Sequence, residues 1–399
     1  MLKLYHNQTN HAGGSASIEP LTYAQAEKTM RFHRTFPMYR PTPLCSLSCL
    51  SELLGIGKLY VKDESYRFGL NAFKVLGGSH AIGMYLAEQL GTGLEELPYP
   101  VLTSEAVRKQ LGEVTFISAT DGNHGRGIAW TAHALGQRSV ILMPKGSAPA
   151  RLENIRKAGA EASITDLCYD DTVRLAKRLA EENGWVLMQD TSWPGYEVIP
   201  LHITQGYLTM ALEALQQLDG TRPTHIFVQA GVGSMAASVI GFFSNVFSDR
   251  PPIMTVVEPL RADCFFRTAE ANDGALHPVT EEMNTIMAGL ACGEPSPIAW
   301  EVIRDHADFF LSIPDEMSAQ GMRLLGNPPG SDPRMISGES GASCFGAVTE
   351  ILRNPALSSV RAELGLDADS VLLFFSTEGD TDQENYRRIV WDGAFPASR

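Results

Sequence analysis

The sequence predicts an α/β protein in which two open, mostly parallel, twisted sheets are covered by helices. Strand-like apolar runs alternate with amphipathic segments along most of the 399 residues, which is the pattern of βαβ units. The composition is that of a globular chain, with 44% hydrophobic and 20% charged residues. At about 150 residues per domain, the length favours two to three domains.

The strands are predicted from short apolar runs bounded by polar or turn residues. They are Lys58–Val61, Val114–Ser118, Ser139–Met143, Ala162–Thr165, Val186–Gln189, His225–Val228, Ile253–Val257 and Val371–Phe375. Amphipathic segments between them predict helices at Ala150–Ala158, Asp171–Asn183 and Thr204–Leu218. The uncharged stretch from Ile226 to Phe247 has the length of a membrane span, but polar residues and glycines interrupt it. We therefore expect a strand, a glycine turn and a buried helix there, and no membrane contact.

Two breaker-rich stretches, Pro98–Pro100 and Pro194–Pro200, suggest the domain organisation. The block between about Ile82 and Pro200 contains four of the predicted strands. We expect residues 82–200 to form a smaller α/β domain. It would be inserted into a larger domain built from residues 1–81 and 201–399.

The charge, the first residues and the cysteine and histidine patterns of the sequence limit the ligands and the cellular location that can be expected. Lys plus Arg is 32 and Asp plus Glu is 46, a net charge of -14, which argues against nucleic-acid binding. No apolar signal segment opens the chain, so a cytoplasmic location is expected. No Cys-x-x-Cys or His-Glu-x-x-His pattern points to a metal. Cys264 and Cys292 both fall in loop-like segments, so a disulfide between them is possible, but an acidic cytoplasmic enzyme more often keeps free thiols.

A glycine-rich segment, His225–Ala237, is predicted to form a strand, a tight turn and a helix. The strand ends at Gly231, and a helix starts near Ser234. Glycines let the backbone approach a ligand closely, and the N–H groups and dipole of a helix start favour phosphate. The residues alone leave open a phosphate site or a tight turn without a ligand. The pattern is not that of a nucleoside-triphosphate P-loop.

Lys74 stands in a nearly uncharged stretch, Asn71–Ala81. Burial favours the neutral amine of a lysine, and a neutral amine forms a Schiff base with a carbonyl group. The alternative is a lysine whose stem packs while its ammonium reaches water.

A second strand–turn–helix pattern surrounds Thr120–Gly127, between a strand at Val114–Ser118 and a helix at Ile128–Ala134. Its turn adds a hydroxyl, a carboxylate and an amide to an anion-binding backbone. Asp-Gly-Asn is also ordinary turn chemistry, and His124 on its own is interpreted as structural.

In this order, the lysine, the Gly-Asn-His turn and the glycine loop resemble one family, the fold-type-II pyridoxal-phosphate enzymes. The family includes threonine and serine dehydratases, serine racemase, cysteine synthase and the tryptophan synthase β chain. The resemblance runs from Pro41–Leu44 to Ser376–Asp380, which is most of the chain. It implies pyridoxal 5'-phosphate as the cofactor, a small amino acid as the substrate and a homodimer as the assembly.

The resemblance also implies roles for individual residues. Lys74 would bind the cofactor covalently, and Asn123 would hydrogen-bond its ring hydroxyl. Ser376 would face the pyridine nitrogen, and Glu339 would lie beside the ring. The cofactor phosphate would lie on Gly231, Val232, Gly233, Ser234 and Met235.

Two carboxylates distinguish this chain within the family. Asp121 stands where racemase-like members have a catalytic serine, on the face of the cofactor opposite the lysine. It could act as a base or attract a second ammonium on the substrate. Asp190 comes straight after a strand, where it could bind a ligand or simply cap a helix. With these carboxylates, the motifs are similar to the ammonia-lyases of this family that act on 2,3-diaminopropionate.

This similarity implies elimination of ammonia from D- or L-diaminopropionate, giving pyruvate and two ammonia. Lys74 and Asp121 would take the α-proton from opposite faces. Thr120 and Asn123 would hold the substrate carboxylate, and Asp190 an amino group. A serine/threonine dehydratase or an amino-acid racemase of the same family is the first alternative. A non-catalytic binding subunit on this fold is the alternative from another class.

Overall fold

The structure is a computed structural model that describes residues 2–9, 16–120 and 122–396. The chain divides into two compact units. The first unit contains residues 1–23, 41–66 and 210–399, and the second contains residues 24–40 and 67–209.

Strands and helices alternate along most of the described chain. The strands are β1 Lys3–His6, β2 Leu44–Ser46, β3 Lys58–Asp63, β4 Thr115–Ala119, β5 Arg138–Met143, β6 Glu161–Ile164, β7 Val186–Leu187, β8 His225–Gln229, β9 Ile253–Pro259, β10 Phe309–Ile313 and β11 Val371–Ser376. The α-helices are α1 Tyr23–Arg34, α2 Ser48–Leu54, α3 Val75–Leu90, α4 Tyr99–Leu102, α5 Glu105–Leu111, α6 Asn123–Ala134, α7 Pro149–Lys157, α8 Tyr169–Asn183, α9 Val198–Gly206, α10 Leu208–Gln217, α11 Ser234–Val246, α12 Cys264–Ala271, α13 Pro297–His306, α14 Asp315–Gly326, α15 Glu339–Arg353, α16 Ser358–Glu363 and α17 Gln383–Val390.

The first unit is built on a seven-stranded sheet in the order β1-β10-β9-β8-β11-β3-β2. Its five inner strands are parallel, and the two edge strands pair antiparallel. The inner strands β8 and β11 are almost continuously apolar, as expected for strands covered on both faces. Phe227 of β8 stacks on Phe374 of β11 with ring centroids 5.5 Å apart, and Phe345 of α15 meets Phe374 edge-on. This apolar centre fixes the ends of β8 and β11 side by side.

A buried ion pair supports the same unit and explains part of the Pro41–Leu44 motif. Lys62 of β3 lies 2.8 Å from Glu213 of α10 and is fully buried. Its ammonium also donates to the Thr42 carbonyl at 2.6 Å and to Gln217 at 2.7 Å. A buried ammonium with three acceptors is well satisfied, so these residues have a structural role.

The second unit is built on a four-stranded parallel sheet in the order β6-β5-β4-β7. A core of Ile117, Leu142, Ala176 and Leu187 joins this sheet to helix α8. Helix α3 packs against α6 and α9 in the same unit. Because β4 and β7 are parallel neighbours, the residues that follow them emerge at one edge of the sheet.

Each predicted strand is confirmed, with bounds that shift by one or two residues. The predicted helices at 150–158 and 171–183 correspond to α7 and α8, and the strand, turn and helix at 226–247 are also confirmed. The segment 204–218 is wrong as a single helix, because α9 ends at Gly206 and α10 begins at Leu208. A Cβ on Gly206 would lie 2.4 Å from the Leu76 carbonyl oxygen, so α9 ends where it crosses α3 closely.

The second unit differs at both ends from the expected block 82–200. It includes residues 24–40, all of α3 and the remainder of α9, because α3 packs against α6 and α9. Lys74 therefore lies in the second unit and not with residues 210–399. That each unit is a separate domain stays a prediction.

Two further observations bear on partners. Among the described residues, no helix has both the length and the apolar character needed to cross a membrane.

Cys264 is a buried free thiol at the start of α12, so it does not lie in a loop and forms no disulfide with Cys292.

Candidate active site

Lys74 and Asp190 form a close ion pair in the second unit. Lys74 immediately precedes α3, and Asp190 follows β7 by three residues. Lysine Nζ lies 2.5 Å from Asp190 Oδ2, with exposed side-chain fractions of 20% and 7%. A mostly buried amine and a carboxylate thus meet at the C-terminal end of a parallel strand, which is where open α/β sheets bind ligands.

The surroundings of Asp190 keep it ionised. Burial by itself would raise the pKa of this carboxyl, but the Lys74 ammonium, which also donates a hydrogen bond to it, holds the pKa well below its usual range. A carboxylate of this kind can orient a cation, but it is a weak proton acceptor.

His124 is the third member of this cluster. Burial lowers its pKa, and although the Asp190 charge raises the pKa, the Lys74 charge opposes that effect and the pKa stays below its usual value. The ring is therefore neutral near pH 7. Its Nε2 lies 2.7 Å from the Met188 carbonyl oxygen, which only accepts, so the ring proton is on Nε2. The other nitrogen, Nδ1, lies 3.8 Å from Asp190 Oδ2. The expectation of a merely structural His124 therefore overlooked its contact with Asp190.

Glycines bring the backbone of α6 against the start of α3. A Cβ on Gly127 would lie 2.9 Å from Val75 Cα and 3.2 Å from the Lys74 carbonyl carbon. A Cβ on Gly125 would lie 2.5 Å from Thr120 Cγ2. These two glycines therefore serve close packing that fixes Lys74 relative to the turn after β4.

The turn after β4 contains several of the predicted substrate-binding residues. Thr120 is buried, and its hydroxyl accepts a hydrogen bond from the Gly122 N–H at 3.3 Å. Asn123 is the first residue of α6. Asp121 lies outside the described residues. The roles proposed for these side chains stay predictions.

The glycine loop of the first unit connects β8 to α11. Gly233 adopts a left-handed φ of 97° immediately before α11, which begins at Ser234. A Cβ on Gly231 would lie 3.0 Å from the Gly289 carbonyl oxygen. The Val232 carbonyl accepts from the Ser296 N–H at 3.0 Å, and Met235 is buried in the first turn of the helix. The loop thus combines a glycine turn with the start of a 13-residue helix, a backbone arrangement suited to a phosphate group.

Replacing Gly233 with valine is expected to weaken cofactor retention. The valine Cβ would lie 2.4 Å from Phe265 Cζ, and a β-branched residue at this φ is strained by about 1–3 kcal/mol. Cofactor retained after dialysis can be measured by visible absorption. Gly274→Val is the matched control, because Gly274 has a φ of 84° and open space around it. Equal cofactor loss in both variants would contradict a phosphate site at Gly233.

Ser376 lies at the end of β11, beside the end of β8. Its hydroxyl is fully buried and donates to Ser337 Oγ at 2.8 Å, which leaves its lone pairs as acceptors. Gln229 links the two strand ends by donating to the Phe375 carbonyl and to Thr377 Oγ1, both at 2.9 Å. The first unit therefore places Ser376 and the glycine loop at the same sheet edge.

Glu339 opens helix α15 and is buried with a raised pKa. Burial, and next the nearby Glu378, raise the pKa of Glu339 to about 7. Asn385 donates a hydrogen bond to its carboxyl group, and Glu378 accepts from the Ser340 N–H at 3.2 Å. The placement of Glu339 beside a cofactor ring stays a prediction.

Comparison with known proteins decides the family. The protein family described as pyridoxal-phosphate dependent enzyme matches residues 35–359. This chain belongs to the pyridoxal-phosphate-dependent enzymes. Its relatives in this family include the diaminopropionate ammonia-lyase of Salmonella typhimurium, 48% identical over 98% of this chain and 97% of that protein. The Escherichia coli K12 enzyme of the same name is 49% identical over 93% and 92% of the two chains.

Solved structures of pyridoxal-phosphate enzymes agree with the observed architecture. Diaminopropionate ammonia lyase from Escherichia coli in complex with D-serine superposes with a TM-score of 0.93 and 45% identity, covering 100% of this chain and 99% of that chain. The same enzyme in complex with an aminoacrylate-PLP azomethine reaction intermediate gives a TM-score of 0.91 over 99% and 98% of the chains. The fold-type-II class predicted from the motifs is confirmed.

The described residues fit the pyridoxal-phosphate cofactor of this family. The glycine loop offers a tight turn, with Gly233 at a left-handed φ of 97°, followed directly by the start of α11, whose N–H groups suit a phosphate. Lys74 offers a partly exposed amine, and Ser376 offers a buried hydroxyl at the sheet edge that carries the glycine loop. When bound, the cofactor supplies an electron-withdrawing ring that stabilises the negative charge left by removal of an α-proton.

Proposed function

We propose that this enzyme eliminates ammonia from D- and L-2,3-diaminopropionate, giving pyruvate and two ammonia. The Lys74–Asp190 pair carries the proposal, because a buried anion at a strand end suits a substrate with a second ammonium group. Relatives named diaminopropionate ammonia-lyase, near 48% identity over almost the full chain, support the same substrate. A homodimer and a cytoplasmic location, both expected from the sequence, stay predictions.

The proposed chemistry divides between two bases and a binding set. Lys74 takes the α-proton on one face of the substrate, and Asp121 takes it on the other. The bond between the β-carbon and the β-ammonium nitrogen then breaks, and the group leaves as ammonia with the bonding electron pair. The enamine product hydrolyses in water to pyruvate and the second ammonia.

The binding set holds the substrate at both ends. Thr120, Asn123 and the backbone amides of their turn bind the substrate carboxylate. Asp190, held ionised by its surroundings, binds an amino group. Serine lacks the second amino group, so the same arrangement favours a diamino acid over a hydroxyamino acid.

A pyruvate assay with separate substrates tests this function. Purified holoenzyme is expected to release pyruvate from D- and L-diaminopropionate faster than from serine or threonine. Faster release from serine or threonine would identify a dehydratase, and inversion of an amino acid without pyruvate would identify a racemase. A protein without any turnover would be the non-catalytic subunit.

Replacing Asp190 with asparagine is expected to reduce kcat/KM on diaminopropionate by on the order of 30- to 5000-fold. Removing one member of a buried charge pair costs about 2–5 kcal/mol, and each 1.4 kcal/mol is about tenfold. Serine should be affected less, because it has no second ammonium. Asp171→Asn, which changes an exposed carboxylate of α8, is the control. Equal losses on both substrates would show that Asp190 does not select the amino group.

A further inference from the structure

Gln189 is a fully buried glutamine immediately before Asp190. Its amide nitrogen donates to the Ala119 carbonyl at 3.0 Å, and its amide oxygen accepts from the Ala119 N–H at 3.1 Å. The same oxygen accepts from Ser118 Oγ at 3.2 Å, and the nitrogen donates to Tyr169 Oη at 2.9 Å. One side chain therefore makes both backbone hydrogen bonds of Ala119, the last residue of β4.

The Gln189 side chain makes the hydrogen bonds to β4 that the backbone of β7 would make if β7 were longer. Strand β7 pairs with β4 only at Val186 and Leu187, and the Met188 N–H adds one bond to the Ile117 carbonyl at 2.8 Å. Beyond that point the β7 backbone no longer pairs with β4. Without another partner, the buried N–H and C=O of Ala119 would lack hydrogen bonds. The Gln189 amide satisfies them with the donor and acceptor of a peptide group.

Two further side chains, Tyr196 and His124, form hydrogen bonds with the backbone of residues 187–189. Tyr196 Oη accepts from the Gln189 N–H and donates to the Leu187 carbonyl, both at 2.8 Å. His124 donates to the Met188 carbonyl at 2.7 Å. These bonds fix the backbone, and the Gln189 side chain joins it to Ala119 at the end of β4, where the turn with Thr120 and Asn123 begins.

We propose that Gln189 is a positioning residue that fixes Asp190 relative to Lys74 and to the turn after β4, and thereby sets the preference for a diamino acid over a hydroxyamino acid. The proposal rests on the function proposed above. In the proposed reaction Gln189 is assigned neither proton transfer nor substrate binding. It acts by tying the segment that contains Asp190 to the strand whose end supplies the substrate-carboxylate turn.

Gln189→Met is the first test, because methionine keeps the length of the side chain and removes every side-chain hydrogen bond of Gln189. A displacement of about 1 Å in an active site costs roughly 100-fold. We expect kcat/KM on diaminopropionate to fall by about 10- to 100-fold and kcat/KM on serine to fall less. A crystal structure of the variant without substrate should show Asp190 Oδ2 displaced from its 2.5 Å contact with Lys74 Nζ.

Gln137→Met is the matched control. Gln137 is also buried, and its amide oxygen accepts from the Val114 N–H at 2.7 Å, just before the start of β4. The Gln137→Met substitution removes a buried glutamine hydrogen bond at the other end of β4. We therefore expect Tm to fall and the substrate preference to stay unchanged. A change of preference in Gln137→Met equal to that in Gln189→Met would overturn the proposal.

Gln189→Glu gives a second, pH-dependent readout. The ionised carboxyl has no donor for the Ala119 carbonyl, whereas the protonated carboxyl has one. The activity of this variant relative to the wild type should therefore rise as pH falls. A flat ratio, or unchanged selectivity and an unmoved Asp190 in Gln189→Met, would refute the positioning role. Absence of diaminopropionate turnover in the wild type would instead refute the proposed function.

Discussion

Lys74→Ala is expected to abolish pyruvate formation from diaminopropionate. Alanine has no amine to bond to the cofactor or to take the α-proton. The protein should also show no borohydride-reducible cofactor link at position 74, which mass spectrometry of a digest can measure. Lys157→Ala, which changes an exposed lysine in the last turn of α7, should keep full activity. A fully active Lys74→Ala protein would exclude the assignment.

Lys74→Arg separates the chemical role of the lysine from its electrostatic role. Removing the ammonium leaves the buried Asp190 carboxylate without the partner that now lies at 2.5 Å, which is costly for stability. Arginine restores the positive charge but is always protonated and forms no bond to the cofactor. We therefore expect Lys74→Arg to recover the Tm lost in Lys74→Ala without recovering turnover.

Asp121→Asn is expected to reduce activity on D-diaminopropionate selectively. Proton removal from opposite enantiomers needs bases on opposite faces of the cofactor, and we propose Asp121 as the base on the face opposite Lys74. A positioned general base contributes ~10²–10⁴-fold in rate. Asparagine keeps the size of the side chain and removes the base, so kcat on the D-enantiomer should fall by that factor while the L-enantiomer is less affected.

The effect of Asp121→Asn on the two enantiomers shows whether Asp121 acts as a general base or binds an amino group of the substrate. Asp190→Asn is the matched comparison, because the ionised Asp190 is assigned to binding and should affect both enantiomers alike. If Asp121→Asn also reduced both equally, Asp121 would be an amine-binding residue. If it reduced neither, Asp121 would be an ordinary turn residue.

The inner strands could be predicted from the sequence because they are buried on both faces and therefore read as continuous apolar runs. The edge strands β1 and β2, of four and three residues, were not predicted. The inner strand β10, Phe309–Ile313, was also missed, although all five residues are buried. Predictions from apolar periodicity alone also missed the break between α9 and α10, since it depends on the crossing of Gly206 over α3.

The site shows the same contrast between local and tertiary information. The order of Lys74, the Asn123 turn and the Gly231 loop identified the cofactor, because each motif is local in sequence. The contact of His124 with Asp190 was not predictable, since it joins residues 66 positions apart across the ends of two strands. Both residues follow predicted strands, but that these strands are neighbours is known only from the structure.

The strand order of the first unit has a consequence for synthesis of the chain on the ribosome. Strand β11 lies between β8 and β3, yet it is translated long after both. At about 5–20 residues per second, β8 waits on the order of ten seconds for this neighbour, with an apolar edge open to other nascent chains. The sheet of the second unit, between residues 115 and 187, is already complete by then. Newly made protein should therefore depend on chaperones through the first unit, and truncation before β11 should leave the second unit's sheet as the folded remnant.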